Sequence, residues 1–316
     1  QVQEPNIQEV ADVEAVPVEE QNIIFKPNVG PQTDFLAASE REVLYGGSAG
    51  GGKSYAMLAD PLRYMGHPSF SGLLLRHTTE ELRELIYKSK EIYPQIWKGI
   101  KWSERKMQWE APSGARLWMS YLDRDDDVLR YQGLAFSWIG FDELTQWATP
   151  YAWNYMRSRL RSVASDLPVY MRATTNPGGP GHQWVKKMFI DPAPYGRKFD
   201  ATDIESGNVL SYPKGHTKAG QPLFKRRFIP ARLSDNPYLA AQGDYETMLL
   251  SLPEHQRKQL LEGDWDIKEG AAFTEFDRNI HVIEPFAIPR NWVKFRACDY
   301  GYGSYSGVLW FAVSPD

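Results

Sequence analysis

The 316 residues (36.2 kDa) are 42% hydrophobic and 24% charged, the make-up of a globular chain long enough for one large or two unequal domains. The net charge of −4 divides into nine acids against Lys26 and Arg41 over residues 1–45, a balance of −7, and 34 basic against 31 acidic residues after them, a balance of +3; bulk charge therefore gives no argument for nucleic-acid binding. Cys298 stands alone, which excludes an intramolecular disulfide and a Cys-built zinc site, and with neither a membrane-length apolar run nor a basic-then-apolar leader the expectation is a soluble protein of a reducing compartment.

Residues 1–22 are acidic, with no basic or aromatic residue, and are expected to form a disordered tail. Order is expected from Ile23, Ile24 and Phe25. A short helix over 33–41, capped by Thr33 or Asp34, leads to the strand Val43-Leu44-Tyr45, which runs into glycines. The pattern then predicts a helix over 54–65, a strand over Gly72–Arg76 and a helix over Thr79–Tyr93. Residues 101–122 alternate as a β-hairpin around Pro112-Ser113-Gly114. A strand over Trp138–Phe141, a helix over 150–163 and a strand over Val169–Ala173 follow. Strands alternating with helices imply an α/β fold with a mainly parallel sheet flanked by helices.

Residues 178–235 are rich in Gly, Pro and Lys/Arg and weakly periodic, and 237–262 read as two short helices. Trp292–Asp299 and Val308–Val313 read as two strands of a late hairpin. The partition expected is a tail to 22, a core over 23–200, a lid or linker over 201–265, a linker over 266–290 and the start of another domain from 291.

Gly47-Ser48-Ala49-Gly50-Gly51-Gly52-Lys53-Ser54 fits the phosphate-loop (Walker A) pattern G-x-x-x-x-G-K-[ST], between a predicted strand and a predicted helix. Glycines let successive backbone N–H groups face a phosphate without a Cβ in the way, and the helix N-terminus adds partial positive charge. Lys53 is expected to bridge the β- and γ-phosphates and Ser54 to ligate Mg²⁺, so ATP or GTP with Mg²⁺ is the predicted ligand set. Asp142-Glu143, at the end of an apolar strand, has the Walker B form: Asp142 for the metal, Glu143 to take a proton from the attacking water. Thr174-Thr175-Asn176 end the next strong strand, where they could sense the γ-phosphate; a capped turn before Pro177 explains the same residue types.

The ordered set resembles the large terminase subunit of tailed bacteriophages, the motor that packages DNA into procapsids. The resemblance runs from Phe25 onward through Pro31-Gln32, Gly47–Ser54, Gly72–Arg76 with Thr79–Leu82, Tyr131-Gln132-Gly133 ahead of Asp142-Glu143, and Thr174–Gly179. It continues through Ser234–Leu239 and Leu261–Trp265. It implies a P-loop ATPase of the ASCE type (a catalytic glutamate after the Walker B aspartate) with a small lid subdomain and the first strands of an incomplete RNase H-like domain. By the same resemblance Gln32 reads adenine, Thr174-Thr175-Asn176 couple hydrolysis to DNA movement, and Asp299 is the first metal-binding acid of the nuclease. The partners implied are double-stranded DNA, the portal protein of the procapsid, the small terminase subunit and further copies in a ring on the portal. The resemblance likewise implies no membrane partner and a location in the host cytoplasm during virion assembly. The family's other nuclease carboxylates would lie beyond Asp316, so the chain is expected not to cleave DNA alone.

Two other classes fit parts of the pattern. A two-lobed helicase would need a second strand–loop–helix series, which residues 178–316 lack. A nucleotide-dependent scaffold would have no use for Glu143. A single-lobe motor needs an arginine from a flexible part of itself or from a neighbour. Arg76, Arg130 and the Arg226-Arg227 pair are candidates; each reads first as a surface or DNA-contact residue, and Arg130 is favoured. The stretch Lys186–Arg232 could contact DNA phosphates or be a solvated lid.

Overall fold

A computed structural model describes residues 25–193, 196–266, 286–300 and 307–315. The chain divides into two compact units, residues 1–269 and 270–316.

In the first unit, α1 (Pro31–Ala37) precedes β1 (Glu42–Gly47) and α2 (Lys53–Ala59). β2 (Ser71–Arg76), α3 (Thr79–Ile96), β3 (Lys101–Ser103), β4 (Gln108–Glu110) and β5 (Arg116–Tyr121) follow. Next come β6 (Trp138–Phe141), α4 (Tyr151–Arg157), β7 (Tyr170–Thr175) and α5 (His182–Val185). β8 (Lys198–Asp200) and β9 (Lys225–Ala231) complete one nine-stranded sheet in the order β3-β4-β5-β2-β6-β7-β1-β9-β8. The inner strands β5, β2, β6, β7, β1 and β9 are parallel, while β3, β4 and β8 pair antiparallel at the edges. Three short helices, α6 (Pro237–Ala240), α7 (Asp244–Leu250) and α8 (Glu254–Arg257), close the unit.

Both faces of the sheet are buried, which explains why its inner strands read as unbroken apolar runs. Val43, Tyr45, Leu74 and Trp138 pack on one face with Met57 and Leu85. Leu44, Leu73, Leu75, Ile139 and Phe141 pack on the other with Trp153 and Phe189. α3 begins with a capping box, Thr78 accepting from the Glu81 amide and the Glu81 side chain from the Thr78 amide.

Several expectations need correction. The helix after the glycine loop ends at Ala59, because Pro61 turns residues 60–64 into a 3₁₀ segment. α1 starts at Pro31 behind Gly30, with no side-chain cap from Thr33 or Asp34. The 101–122 hairpin is three short strands, with Met107 at positive φ in the first turn. α4 stops at Arg157, and 237–262 holds three short helices rather than two.

The larger correction is β9, which lies inside a stretch that reads as weakly periodic yet pairs in parallel with β1 along its whole length. A core ending at residue 200 would leave it out. Its Arg226 points inward: the side chain is 1% exposed, and its Nε lies 2.7 Å from Oε2 of Glu42, itself fully buried on β1. Arg157 of α4 pairs with the same carboxylate. Arg226 also donates to the Thr202 carbonyl at 2.7 Å and lies over the rings of Phe189 and Phe224.

The second unit contains β10 (Val293–Asp299) and β11 (Gly307–Val313), antiparallel, with Phe295 stacked on Phe311 at 4.7 Å. No helix among the described residues is long and apolar enough to cross a membrane.

Candidate nucleotide site

The parallel register sets the site. Leu75 pairs with Phe141 and Phe141 with Ala173, so the next residues, Arg76, Asp142 and Thr174, stand side by side at the carboxyl ends of β2, β6 and β7. Thr174 in turn pairs with Tyr45 of β1, two residues before the glycine loop. Ligands of open parallel sheets bind at this edge.

The loop is shaped from behind. Asn236 donates to the Gly50 carbonyl at 2.7 Å, the Tyr45 hydroxyl to Gly51 at 2.7 Å, and the Gln32 amide to Gly52 at 2.9 Å. Three consecutive carbonyls are thus held by side chains from three different elements. A trans peptide sets its N–H opposite its C=O, so the N–H groups of Gly51, Gly52 and Lys53 are turned the other way. Among the described residues, the Gly51 and Gly52 amides donate to no protein acceptor. Such a row of free amides at a helix start is an anion cradle. Gly52 holds φ 76°, and a Cβ there would lie 2.7 Å from the Gln32 amide. Gly47 passes so close to β9 that a Cβ would lie 2.1 Å from the Ala231 carbonyl oxygen. Ser48 and Ala49 donate backward to Ala231 and Leu260 at 2.9 and 2.6 Å, fixing the loop's first half.

Lys53, buried at the start of α2, donates to the Ser48 carbonyl at 2.6 Å. Burial lowers its pKa, partly opposed by the nearby Glu143 and Asp142. Asp142 is fully buried: one oxygen accepts from the Thr174 hydroxyl, and the other lies 2.7 Å from Nη2 of Arg76. Glu143 occupies the left-handed region at φ 60°, ψ 56°, a conformation that costs a non-glycine residue energy. Burial, with the Asp142 charge adding to it, raises the Glu143 pKa above the usual carboxylate value, against Lys53 and Arg76. The Asn176 amide reaches its Oε2 at 3.4 Å. Thr175 ties the end of β7 to the turn after Glu143, its hydroxyl 2.7 Å from that of Thr145.

A cavity of about 360 Å³ is lined by the loop from Ala49 to Ser54 together with Arg76, Glu143, Asn176, Asn236, Leu239 and Tyr245, among others. The register and this cavity bring together Gly50, Gly51, Gly52, Lys53, Ser54, Asp142, Glu143, Thr174, Thr175 and Asn176. Gln32 lies behind the loop, its amide donating to Gly52 and its oxygen accepting from the Asn28 amide at 2.7 Å. Arg130 does not line the cavity; it is an exposed side chain that donates to the Tyr121 carbonyl at 2.6 Å. Asp299 belongs to the second unit.

Two of the arginine expectations fail: Arg76 and Arg226 are buried in ion pairs with Asp142 and Glu42, not displayed on the surface. Arg227 donates to the Gly196 carbonyl at 2.8 Å. Tyr45 and Asn236 shape the loop without belonging to either motif. Asn236 has a signal, since it precedes a proline as a helix cap; Tyr45 reads only as a strand aromatic.

No group of three or more His, Cys, Asp or Glu converges among the described residues. The donors at hand are the Asp142 carboxylate and the Ser54 hydroxyl, hard oxygens that suit Mg²⁺. That ion is usually held by one or two carboxylates together with substrate phosphates and water.

A glycine loop between the first parallel strand and its helix, with Asp142-Glu143 at the end of β6, separated from β1 by β7, has the form of the P-loop α/β fold of the ASCE type. Residues 44–280 match the family described as terminase large subunit, T4likevirus-type, N-terminal, and the chain belongs to that family. The large terminase of a thermophilic bacteriophage in complex with ADP superposes with a TM-score of 0.56 at 17% identity, over 92% of this chain and 66% of that one. The same phage protein in complex with ATP-gamma-S gives 0.54 at 16%, over 92% and 65%. The large terminase ATPase domain of a Thermus phage gives 0.48 at 12%, over 76% and 94%. The chain thus spans about two thirds of the length of the thermophilic phage's large terminase. Comparison with curated protein sequences gives no match.

Proposed function

We propose that this chain hydrolyses ATP, with Mg²⁺, as the motor portion of a large terminase that drives double-stranded viral DNA into a procapsid. The observation that carries the reading is that the glycine loop and the half-buried Glu143 line one cavity. The loop amides and Lys53 bind the β- and γ-phosphates and orient the terminal phosphorus. Mg²⁺, bound through Ser54 and Asp142, would neutralise charge on the phosphate oxygens. Glu143 accepts the proton of the attacking water, and its raised pKa makes it a stronger base than a solvated glutamate. The Asn176 amide, bonded to Glu143, and Thr174, bonded to Asp142, link that chemistry to β7, which supports a coupling role for Thr174-Thr175-Asn176.

The remaining assignments belong to the same proposal. Gln32 acts on adenine through the position it gives the loop, and the residues after β9 act as a lid over the loop. Arg130, exposed and outside its own cavity, is supplied to the site of a neighbouring copy in a ring on the portal protein. The small terminase subunit is a further partner, the host cytoplasm the place, and Asp299 the first acid of a nuclease site.

The test is Glu143→Gln, which keeps shape and burial but removes the base. Turnover should fall by roughly 10²–10⁴, with the nucleotide dissociation constant unchanged. Parental turnover in this variant would sink the assignment.

A further inference from the structure

Arg76 occupies an unusual place for a positive charge. It closes β2, is 9% exposed, and lies in the wall of the same cavity as Lys53, Glu143 and Asn176. Its Nη2 is 2.7 Å from Oδ2 of Asp142, the carboxylate assigned to the metal. Its Nε is buried and has no hydrogen-bond acceptor among the described residues. A guanidinium carries five donors in a planar fork suited to two oxygens of one anion. Here the fork meets a single carboxylate oxygen, and a buried donor remains unpaired at the edge of a cavity built for phosphates.

Around Arg76 stand Asp142, Glu143, Glu81 and Glu84, so the guanidinium stays charged in either arrangement. A cation shared between this arginine and Asp142 Oδ2 would suffer like-charge repulsion. The arginine therefore gains by moving to a second anion once Asp142 is engaged elsewhere.

We propose that Arg76 is the terminal-phosphate sensor of its own site: it holds Asp142 when the cavity contains no nucleoside triphosphate and turns to two oxygens of the γ-phosphate when one is bound. ADP offers nothing at that position, so Arg76 should discriminate triphosphate from diphosphate. This rests on the reading of the cavity as an ATP site and adds to it an arginine supplied in cis, distinct from Arg130. It also assigns the pair with Asp142 a function, since a buried ion pair by itself adds little stability.

The experiment measures dissociation constants of fluorescent ADP and of a non-hydrolysable fluorescent ATP analogue, each with Mg²⁺, for the parent chain, Arg76→Gln, Arg76→Lys and Lys53→Ala. Arg76→Gln should weaken the triphosphate analogue by roughly tenfold or more, the scale of one charge-assisted hydrogen bond, and ADP by less than about threefold. Arg76→Lys should recover part of the difference, because it keeps the charge but not the fork. Equal weakening of both nucleotides, or of neither, overturns the proposal and leaves Arg76 a support for Asp142. If Arg76→Gln does not fold, the Arg76→Lys ratio decides: an unchanged triphosphate-to-diphosphate ratio overturns the proposal. A parent chain that binds neither nucleotide, or a Lys53→Ala chain that binds both as the parent does, overturns the underlying ATP-site reading, and this one with it.

Discussion

Replacing Glu42 by alanine tests how the sheet is held together beneath the site. The carboxylate is fully buried on β1 and faces two arginines, Arg226 at 1% and Arg157 at 22% side-chain exposure. Removing one partner of a buried pair costs about 3–5 kcal/mol, mostly because the other charge is left uncompensated. Arg157 can turn toward water. Arg226 cannot, but it keeps the Thr202 carbonyl and two ring faces, which places the loss near the lower figure, about 3 kcal/mol. For a unit of this size each kcal/mol shifts the melting temperature by about 2–4 °C, so a fall of about 6–12 °C is expected by thermal melting at pH 7.5.

The acid dependence follows from the sign of the shift. Burial alone would raise the Glu42 pKa, but Arg157 and Arg226 outweigh it and the net shift is downward from 4.5. The stabilisation is therefore complete above pH 4.5 and lost as pH falls below it toward the depressed folded value. The gap between parent and Glu42→Ala should be constant at neutral pH and close in acid. Glu42→Leu combined with Arg226→Met should recover most of the loss, since a well-packed apolar pair replaces an ionic one. A shift of under about 2 °C for Glu42→Ala at pH 7.5 would refute the argument, because the stranded Arg226 would then have found an equivalent partner.

Two further outcomes concern the loop and the base. Asn236→Ala releases the Gly50 carbonyl and should weaken nucleotide binding about fivefold, the worth of roughly 1 kcal/mol, with little change in melting; undiminished affinity would mean the loop keeps its shape without that contact. Because burial and Asp142 raise the Glu143 pKa, hydrolysis should fall on the acid side through a pH above the ordinary 4.5 of a glutamate, and a rate profile flat down to that value would contradict Glu143 as base.

What the chain order revealed and what it hid have separate physical causes. β1, β6 and β7 are sandwiched between two apolar layers, so Val43-Leu44-Tyr45 and Trp138–Phe141 could read only as buried strands, and the motifs attached to their ends located the site. β9, next to the edge strand β8, also buries most of its inward side chains, but Lys225-Arg226-Arg227 and Pro230 obscure its alternation. The inward arginine is explained by Glu42, 184 residues earlier, and no local pattern encodes that pairing. Arg76 is hidden in the same way, since its partner Asp142 becomes a neighbour only through the β2–β6 register. The contact Gln32 makes was not legible either; nothing in Pro31-Gln32 tells that its amide reaches Gly52.

The hydrogen bonds that hold the glycine loop from behind have a consequence for biosynthesis. Ser48 waits for Ala231, 183 residues away, Gly50 for Asn236, 186 away, and Ala49 for Leu260. At 5–20 residues per second, roughly 10–40 s separates synthesis of the loop from the emergence of β9. During that interval the β1 edge that β9 will cover is unpaired, and the Gly50 carbonyl lacks its contact from Asn236. The loop's first half and its Gly50 carbonyl are thus fixed only by residues made at the far end of the unit, whereas Tyr45 and Gln32, which hold Gly51 and Gly52, are already in place when the loop emerges.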